Sequence, residues 1–250
     1  MRDNTNFTEI SGLRIWARPF ADSVRKAEEY LRGDKLSVVF TPNPEALYRA
    51  RRDEAYFEAL KAADLLVADG IGLVLASKLN KIKIRGRTPG CDLAQALLPY
   101  CAAGKLSVYI LGAAPGVAEA ACAKIKESCA GLKIAGCGDG YFDAEREKLI
   151  IQDISEKKPE LLLVGLGMPK QELWLIKNRE ALAGVKLAIA CGGTIDVLAG
   201  KAARAPLIFR KLGLEWLFRI ARQPERLGRA AALPGFMLDA LTDKLRGRAK

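Results

Sequence analysis

The chain contains no histidine. Ser-His-Asp and Cys-His catalysis are therefore excluded, as are zinc sites with imidazole ligands. Acid–base work must fall to carboxylates, Lys, Tyr or Cys. Among the carboxylates, Asp69 follows the apolar run Leu65–Ala68 directly and has Gly70 beside it. A carboxylate at such a strand end can take a proton from a hydroxyl nucleophile, hold a ribose, or cap the helix expected from Ile71. Asn43-Pro44-Glu45 reads as a helix start, with Asn as cap, Pro at the first helical position and Glu in the first turn. Thr41 precedes it at another strand end, where its hydroxyl would face a crevice.

Two glycine-rich stretches suit phosphate. They are Gly112-Ala113-Ala114-Pro115-Gly116 and Gly165-Leu166-Gly167-Met168-Pro169-Lys170. The second has half of a dinucleotide fingerprint, but Lys170 occupies the region of the third glycine. The strand ending at Ala190 is followed by Cys191, not by the Asp or Glu that would hold a ribose. An NAD enzyme is disfavoured, and no G-x-x-x-x-G-K-[ST] string marks a P-loop. The loop before Lys170 and Gln171 offers backbone amides at a helix N-terminus, suited to a diphosphate or a uracil-like ring. No Asp-x-Asp pair exists to hold a divalent metal on a diphosphate. No metal or cofactor is expected, so leaving-group charge must be met by Arg, Lys and amides. Six cysteines without a C-x-x-C spacing read as small buried hydrophobes.

The elements that must position these groups follow from apolar patterning. Short runs at Leu36–Phe40, Leu65–Ala68, Leu106–Leu111, Leu132–Ala135, Leu161–Val164 and Leu187–Ala190 alternate with helix-length segments, the first of them Pro44–Ala62. Continuously apolar short strands between helices predict a parallel sheet covered on both faces. The expectation is an α/β, Rossmann-like, mostly parallel sheet with helices on both faces over residues 1–200, plus a small basic helical C-terminal appendage over 201–250. Every small, polar or glycine-rich cluster falls after a strand, at the edge where open α/β sheets bind ligands. No apolar targeting segment opens the chain, and no run approaches the roughly 18 residues of a spanning helix. A cytoplasmic protein is expected.

The net charge of +11 is concentrated at the end, where residues 201–250 hold 12 Lys/Arg against 4 Asp/Glu. Such a tail suits a nucleic acid, a membrane surface or a phosphorylated ligand. Arg219, Arg222, Arg226 and Arg229 are spaced to share one helical stripe, which Pro224 would bend. Trp216, Leu217 and Phe218, with the apolar stretch 230–238, favour a lipid surface over nucleic acid.

Taken together, TPNPEAL (41–47), ADGIGLVLASK (68–78), RTPGCDL (87–93), LGAAPG (111–116), GDGYF (138–142), GLGMPKQE (165–172), CGGTIDVLAGK (191–201), RAP (204–206), GLEWLFR (213–219) and QPERLGR (223–229) resemble the WecG/TagA/CpsF family, glycosyltransferase family 26. The resemblance covers about residues 10 to 230. It implies an inverting, metal-independent transferase that takes a UDP-sugar, often UDP-N-acetylmannosamine or its uronic acid. The acceptor would be an undecaprenyl-diphosphate-linked saccharide, and the product a surface polysaccharide or teichoic acid. By similarity Asp69 is the base, with Thr41 beside it in the catalytic pair. Asn43, Arg87 and Gln171 match pocket residues. Gly112, Gly167, Lys170, Asp196 and Arg204 fall in the matched strings and join the substrate-binding set. Arg219, Arg222 and Arg226 would reach the diphosphate from the tail, which is expected to seat the enzyme peripherally on the inner leaflet. Family members also self-associate, so a homo-oligomer belongs to the expectation. Two positions depart from the pattern: Ile195, where an aromatic is usual, and Gln223, where Glu usually precedes Pro. The rival readings are an NAD-dependent nucleotide-sugar-modifying enzyme and a non-enzymatic basic protein binding membrane or nucleic acid.

Overall fold

All six apolar runs become parallel strands of one eight-stranded sheet in the computed structural model, which describes residues 4–222 and 232–245. These strands are β3 (Ser37–Phe40), β4 (Leu65–Val67), β5 (Ser107–Gly112), β6 (Lys133–Gly138), β7 (Leu161–Gly165) and β8 (Leu187–Ala190). A hairpin of β1 (Phe7–Ile10) and β2 (Leu13–Trp16) completes the sheet, in the order β1-β2-β4-β3-β8-β7-β5-β6. Among the described residues, β1 and β2 alone pair antiparallel.

The sheet is apolar on both faces because both faces are covered. Successive residues of a strand point opposite ways, and Val38 and Phe40 enter one core cluster while Val39 enters the other. On the first face lie α2 (Pro44–Ala50), α3 (Glu54–Lys61), α4 (Ile71–Ser77), α7 (Ala144–Lys157) and α8 (Lys170–Lys177). On the second lie α1 (Phe20–Leu31), α5 (Gly90–Ala103), α6 (Val117–Ser128) and α9 (Thr194–Leu198). Chain order reverses between β4 and β5, so the loops after β3, β8, β7 and β5 open side by side.

Two differences from the expected elements have local causes. The hairpin carries no continuous apolar run, because β1 is an edge strand and buries alternate residues only. Its turn residues Ser11 and Gly12 both have positive φ, the primed geometry that suits a two-residue hairpin. The segment 44–62 is two helices, because the Asp53 side chain accepts from the Tyr56 amide at 3.0 Å and restarts the helix there.

After β8 the chain forms α10 (Leu207–Lys211), α11 (Glu215–Arg222) and α12 (Ala232–Leu245). The last packs on α2 and α4, buries Phe236 in the core and is held by Arg51–Asp243 at 2.7 Å and Arg52–Asp239 at 3.0 Å.

Candidate active site

The strand-end loops line one crevice of about 1100 Å³. Of the expected site residues, Thr41, Asn43, Asp69, Arg87, Gly167, Lys170, Gln171 and Asp196 all line it. Asp69 leaves β4 half-buried, and its backbone N–H donates to the Pro42 carbonyl at 2.9 Å. That bond ties it to the loop bearing Thr41 and Asn43. Asn43 caps α2, its Oδ1 accepting from the Ala46 amide at 2.8 Å. The Thr41 hydroxyl donates to the Ala190 carbonyl at 3.4 Å, linking β3 to the end of β8.

The floor is made of backbone. Gly112 does not line the crevice itself but supports it. Its φ is +137°, and a Cβ there would collide with the Gly165 carbonyl oxygen. A Cβ on Gly165 would in turn lie 2.6 Å from the Gly192 oxygen and 2.7 Å from Ile195 Cδ1. Glycine lets these three loops stack close enough to present backbone groups to a ligand. Ile195, where the family resemblance leads one to expect an aromatic, is fully buried against them.

Side chains set the walls. The Gln171 Oε1 accepts from the Gly192 amide at 3.1 Å, and its Nε2 donates to Glu172 Oε1 at 2.8 Å. Lys170 donates from Nζ to the Gly140 carbonyl at 3.0 Å and lies 4.5 Å above the Phe142 ring. The loop after β6 is shaped by buried Asp139, which accepts from the Tyr141 amide at 2.9 Å and from Arg146 Nη2 at 2.6 Å. That loop leaves the Tyr141 ring exposed at the crevice. Arg87 donates to the carbonyl of Arg210, joining the crevice wall to α10.

Arg204 stands behind this wall. Its Nη2 lies 2.5 Å from Asp92 Oδ1 and 3.8 Å from Glu215 Oε2, so it ties α5 to α11. Arg222 closes α11, its guanidinium 5.5 Å from the Phe218 ring centroid. Pro224, Arg226 and Arg229 lie outside the described residues, as does the side chain of Arg219. Among the described residues, no three His, Cys, Asp or Glu side chains come together as a metal site requires.

Reading the sequence missed Tyr56, Tyr141, Glu172 and Glu215, which also line the crevice. Tyr141 sits inside the GDGYF string and could have been marked from it. Glu172 looks like an ordinary first-turn acid of α8, yet it is buried, and burial pushes its carboxyl up to about 7. The Gln171 hydrogen bond and the Arg49 charge act in the opposite direction.

A family model described as "Glycosyl transferase WecG/TagA/CpsF family" matches residues 8–250. The chain is similar to the N-acetylglucosaminyldiphosphoundecaprenol N-acetyl-beta-D-mannosaminyltransferase of Staphylococcus aureus (strain MRSA252). The two are 33% identical over 238 residues, which is 94% of this chain and 92% of that protein. The protein of the same name from Bacillus spizizenii is 34% identical over 212 residues, covering 85% of this chain and 81% of its own.

Proposed function

This chain belongs to the WecG/TagA/CpsF family of glycosyltransferases, and from that premise we propose that it moves an N-acetylmannosamine-type sugar from UDP to an undecaprenyl-diphosphate-linked saccharide. The names of the relatives supply the sugar and the acceptor class. The observation that carries the mechanism is the placing of Asp69 in one crevice with Thr41, Arg87, Lys170, Gln171 and Asp196. Asp69 takes the proton of an acceptor hydroxyl, and the oxygen attacks the anomeric carbon from the face opposite UDP. The anomeric C–O bond breaks, and its electron pair leaves on the diphosphate.

Charge on that diphosphate must be met as it grows. Ala113 and Ala114 of the loop after β5 and residues 165–168 of the loop after β7 line the crevice with Lys170, and in this reading their backbone meets part of that charge. The described lining is nevertheless acid-rich, with Glu45, Asp69, Asp143, Glu172, Asp196 and Glu215 against Arg87 and Lys170. This imbalance supports a supply of guanidinium groups from the tail, with Arg219, Arg222 and Arg226 as the donors. No divalent metal enters this mechanism.

Residues 201–250 act in this reading as a membrane-associating appendage to a 1–200 catalytic core. No helix among the described residues is long and apolar enough to cross a membrane. Leu207, Ile208 and Leu212 are instead 63%, 64% and 60% exposed, with exposed Trp216 and Leu217 after them and exposed Arg222 and the basic sequence 223–229 following in the chain. An apolar strip flanked by cations suits the surface of an anionic leaflet.

The test is UDP release with lipid-diphosphate-N-acetylglucosamine as acceptor, across a panel of UDP-sugars, with and without EDTA. Turnover with UDP-N-acetylmannosamine that survives EDTA is expected. Turnover that stops on chelation overturns the metal-independent mechanism, and failure to bind UDP overturns the donor assignment.

A further inference from the structure

We propose that Tyr56 and Glu172 read the acylamino substituent of the transferred sugar, the phenol donating to the acyl carbonyl and Glu172 Oε2 accepting from the amide N–H. This inference rests on the donor reading above.

Buried polar groups in folded proteins almost always have partners, and an orphan is costly. Tyr56 Oη and Glu172 Oε2 are buried without a hydrogen-bond partner among the described residues. Side chains of Trp16, Trp174, Arg204 and Arg210 also carry such atoms, but Tyr56 and Glu172 are the ones that line the crevice. Their residues are 0% and 5% exposed, so bulk water does not satisfy them. The two come from α3 and α8, which pack together. They are close enough that, after burial, the Glu172 charge is the next influence raising the Tyr56 phenol.

The chemistry of the pair selects the ligand class. A phenol can donate a hydrogen bond, and a carboxyl oxygen that carries no proton can only accept. A secondary amide presents one acceptor and one donor and matches both ends. A sugar hydroxyl can also accept and donate, but from a single oxygen, whereas the amide carries its acceptor and donor on two atoms facing opposite ways and so suits two groups set on different helices. Glu172 is also held in place for the task. Gln171 Nε2 occupies its other oxygen at 2.8 Å, and Gln171 is itself anchored on the Gly192 amide. The groups facing Glu172 are therefore Gln171 on its own helix, Tyr56 on α3 and the Arg49 cation on α2.

The experiment compares UDP-N-acetylmannosamine with UDP-mannose, which differ only in the C2 substituent, on the full chain and on Tyr56→Phe and Glu172→Gln. Tyr56→Phe removes the donor, and Glu172→Gln puts an N–H₂ where an acceptor is needed. Each is expected to lower kcat/KM for the acylamino donor about 10–100-fold while changing that for the hydroxyl donor less than about 3-fold. Near-UV circular dichroism and melting confirm that each variant folds, and either variant alone suffices for the test. Equal losses with both donors, or an unmoved ratio in a folded variant, overturn the proposal and leave the pair to an internal water. A wild-type chain that uses both donors equally also overturns it, without touching the transferase reading. A wild-type chain that binds no UDP overturns both.

Discussion

The backbone N–H of Asp69 and the carbonyl of Pro42 are hydrogen-bonded at 2.9 Å, so the carboxylate-bearing loop after β4 and the Thr41–Asn43 loop after β3 form one unit. Asn43 continues that unit into α2 through its cap on Ala46. A base held by backbone on adjacent strands keeps its position when its side chain is altered. Asp69→Asn therefore removes the proton acceptor and leaves the backbone tie to Pro42 in place. A positioned general base is worth ~10²–10⁴ in rate, so turnover should fall by about that factor. UDP affinity by calorimetry should stay within a few-fold. Normal turnover by this variant would move the base elsewhere in the crevice.

The stacked glycines make a second prediction. A methyl at position 165 would meet the Gly192 oxygen at 2.6 Å and Ile195 Cδ1 at 2.7 Å, the first a backbone atom and the second the end of a fully buried side chain. Overpacking of this kind costs about 1–3 kcal/mol. Gly165→Ala should lower the melting temperature by several degrees and weaken UDP binding, because it spreads loops that line the crevice. A companion change to Ile195→Val should recover part of the stability by removing one of the two clashes.

The parallel strands and their ligand edge were legible in the sequence, because a doubly covered sheet writes each strand as an unbroken apolar run. The hairpin was not, since an edge strand alternates and Phe7–Trp16 looks like mixed polarity. Asp69 and Thr41 could be placed because they follow such runs within a residue or two. Arg204 could not. Local sequence marks it only as a cation where alternation ends, whereas its pairing with Asp92 depends on how α5 and α11 meet. Glu172 was hidden for the same reason. A Glu in the first turn of a helix reads as a dipole partner facing water, and only the packing of α8 on α3 takes it inside.

Burial makes Glu172 a source of pH-dependent stability. Its carboxyl is raised from the ordinary 4.5 to about 7. Between those values the folded chain keeps a proton that the unfolded chain has released. Stability from this group is thus fully present below about 4.5, falls as pH rises toward about 7, and stays at its reduced level above. At 1.36 kcal/mol per unit the full effect is on the order of 3 kcal/mol. Glu172→Gln cannot ionise and should lack this slope. Urea unfolding at pH 5 and pH 8 should show wild type losing stability relative to the variant. A difference that does not change with pH would mean that Glu172 is charged in the fold throughout.

Membrane attachment can be tested without removing the tail, which is preferable because Phe236 on α12 belongs to the core. Truncation near residue 200 would strip that side chain, together with the Asp239 and Asp243 partners of Arg51 and Arg52. Leu207, Ile208 and Leu212 are exposed, so changing them to Ser together should leave the fold intact. Each exposed leucine-sized side chain that enters the interface contributes on the order of 1 kcal/mol or more. The triple variant should sediment with anionic vesicles at least ~10-fold less well than wild type. Raised salt should release wild type as well, since attraction of a basic segment is worth ~1 kcal/mol per charge and is screened within a Debye length. Turnover should fall with a long-chain polyprenyl acceptor in vesicles and persist with a short, water-soluble analogue. If sedimentation and turnover both survive the triple change, the bilayer is engaged by another part of the chain, and the apolar strip on α10 has no share in it.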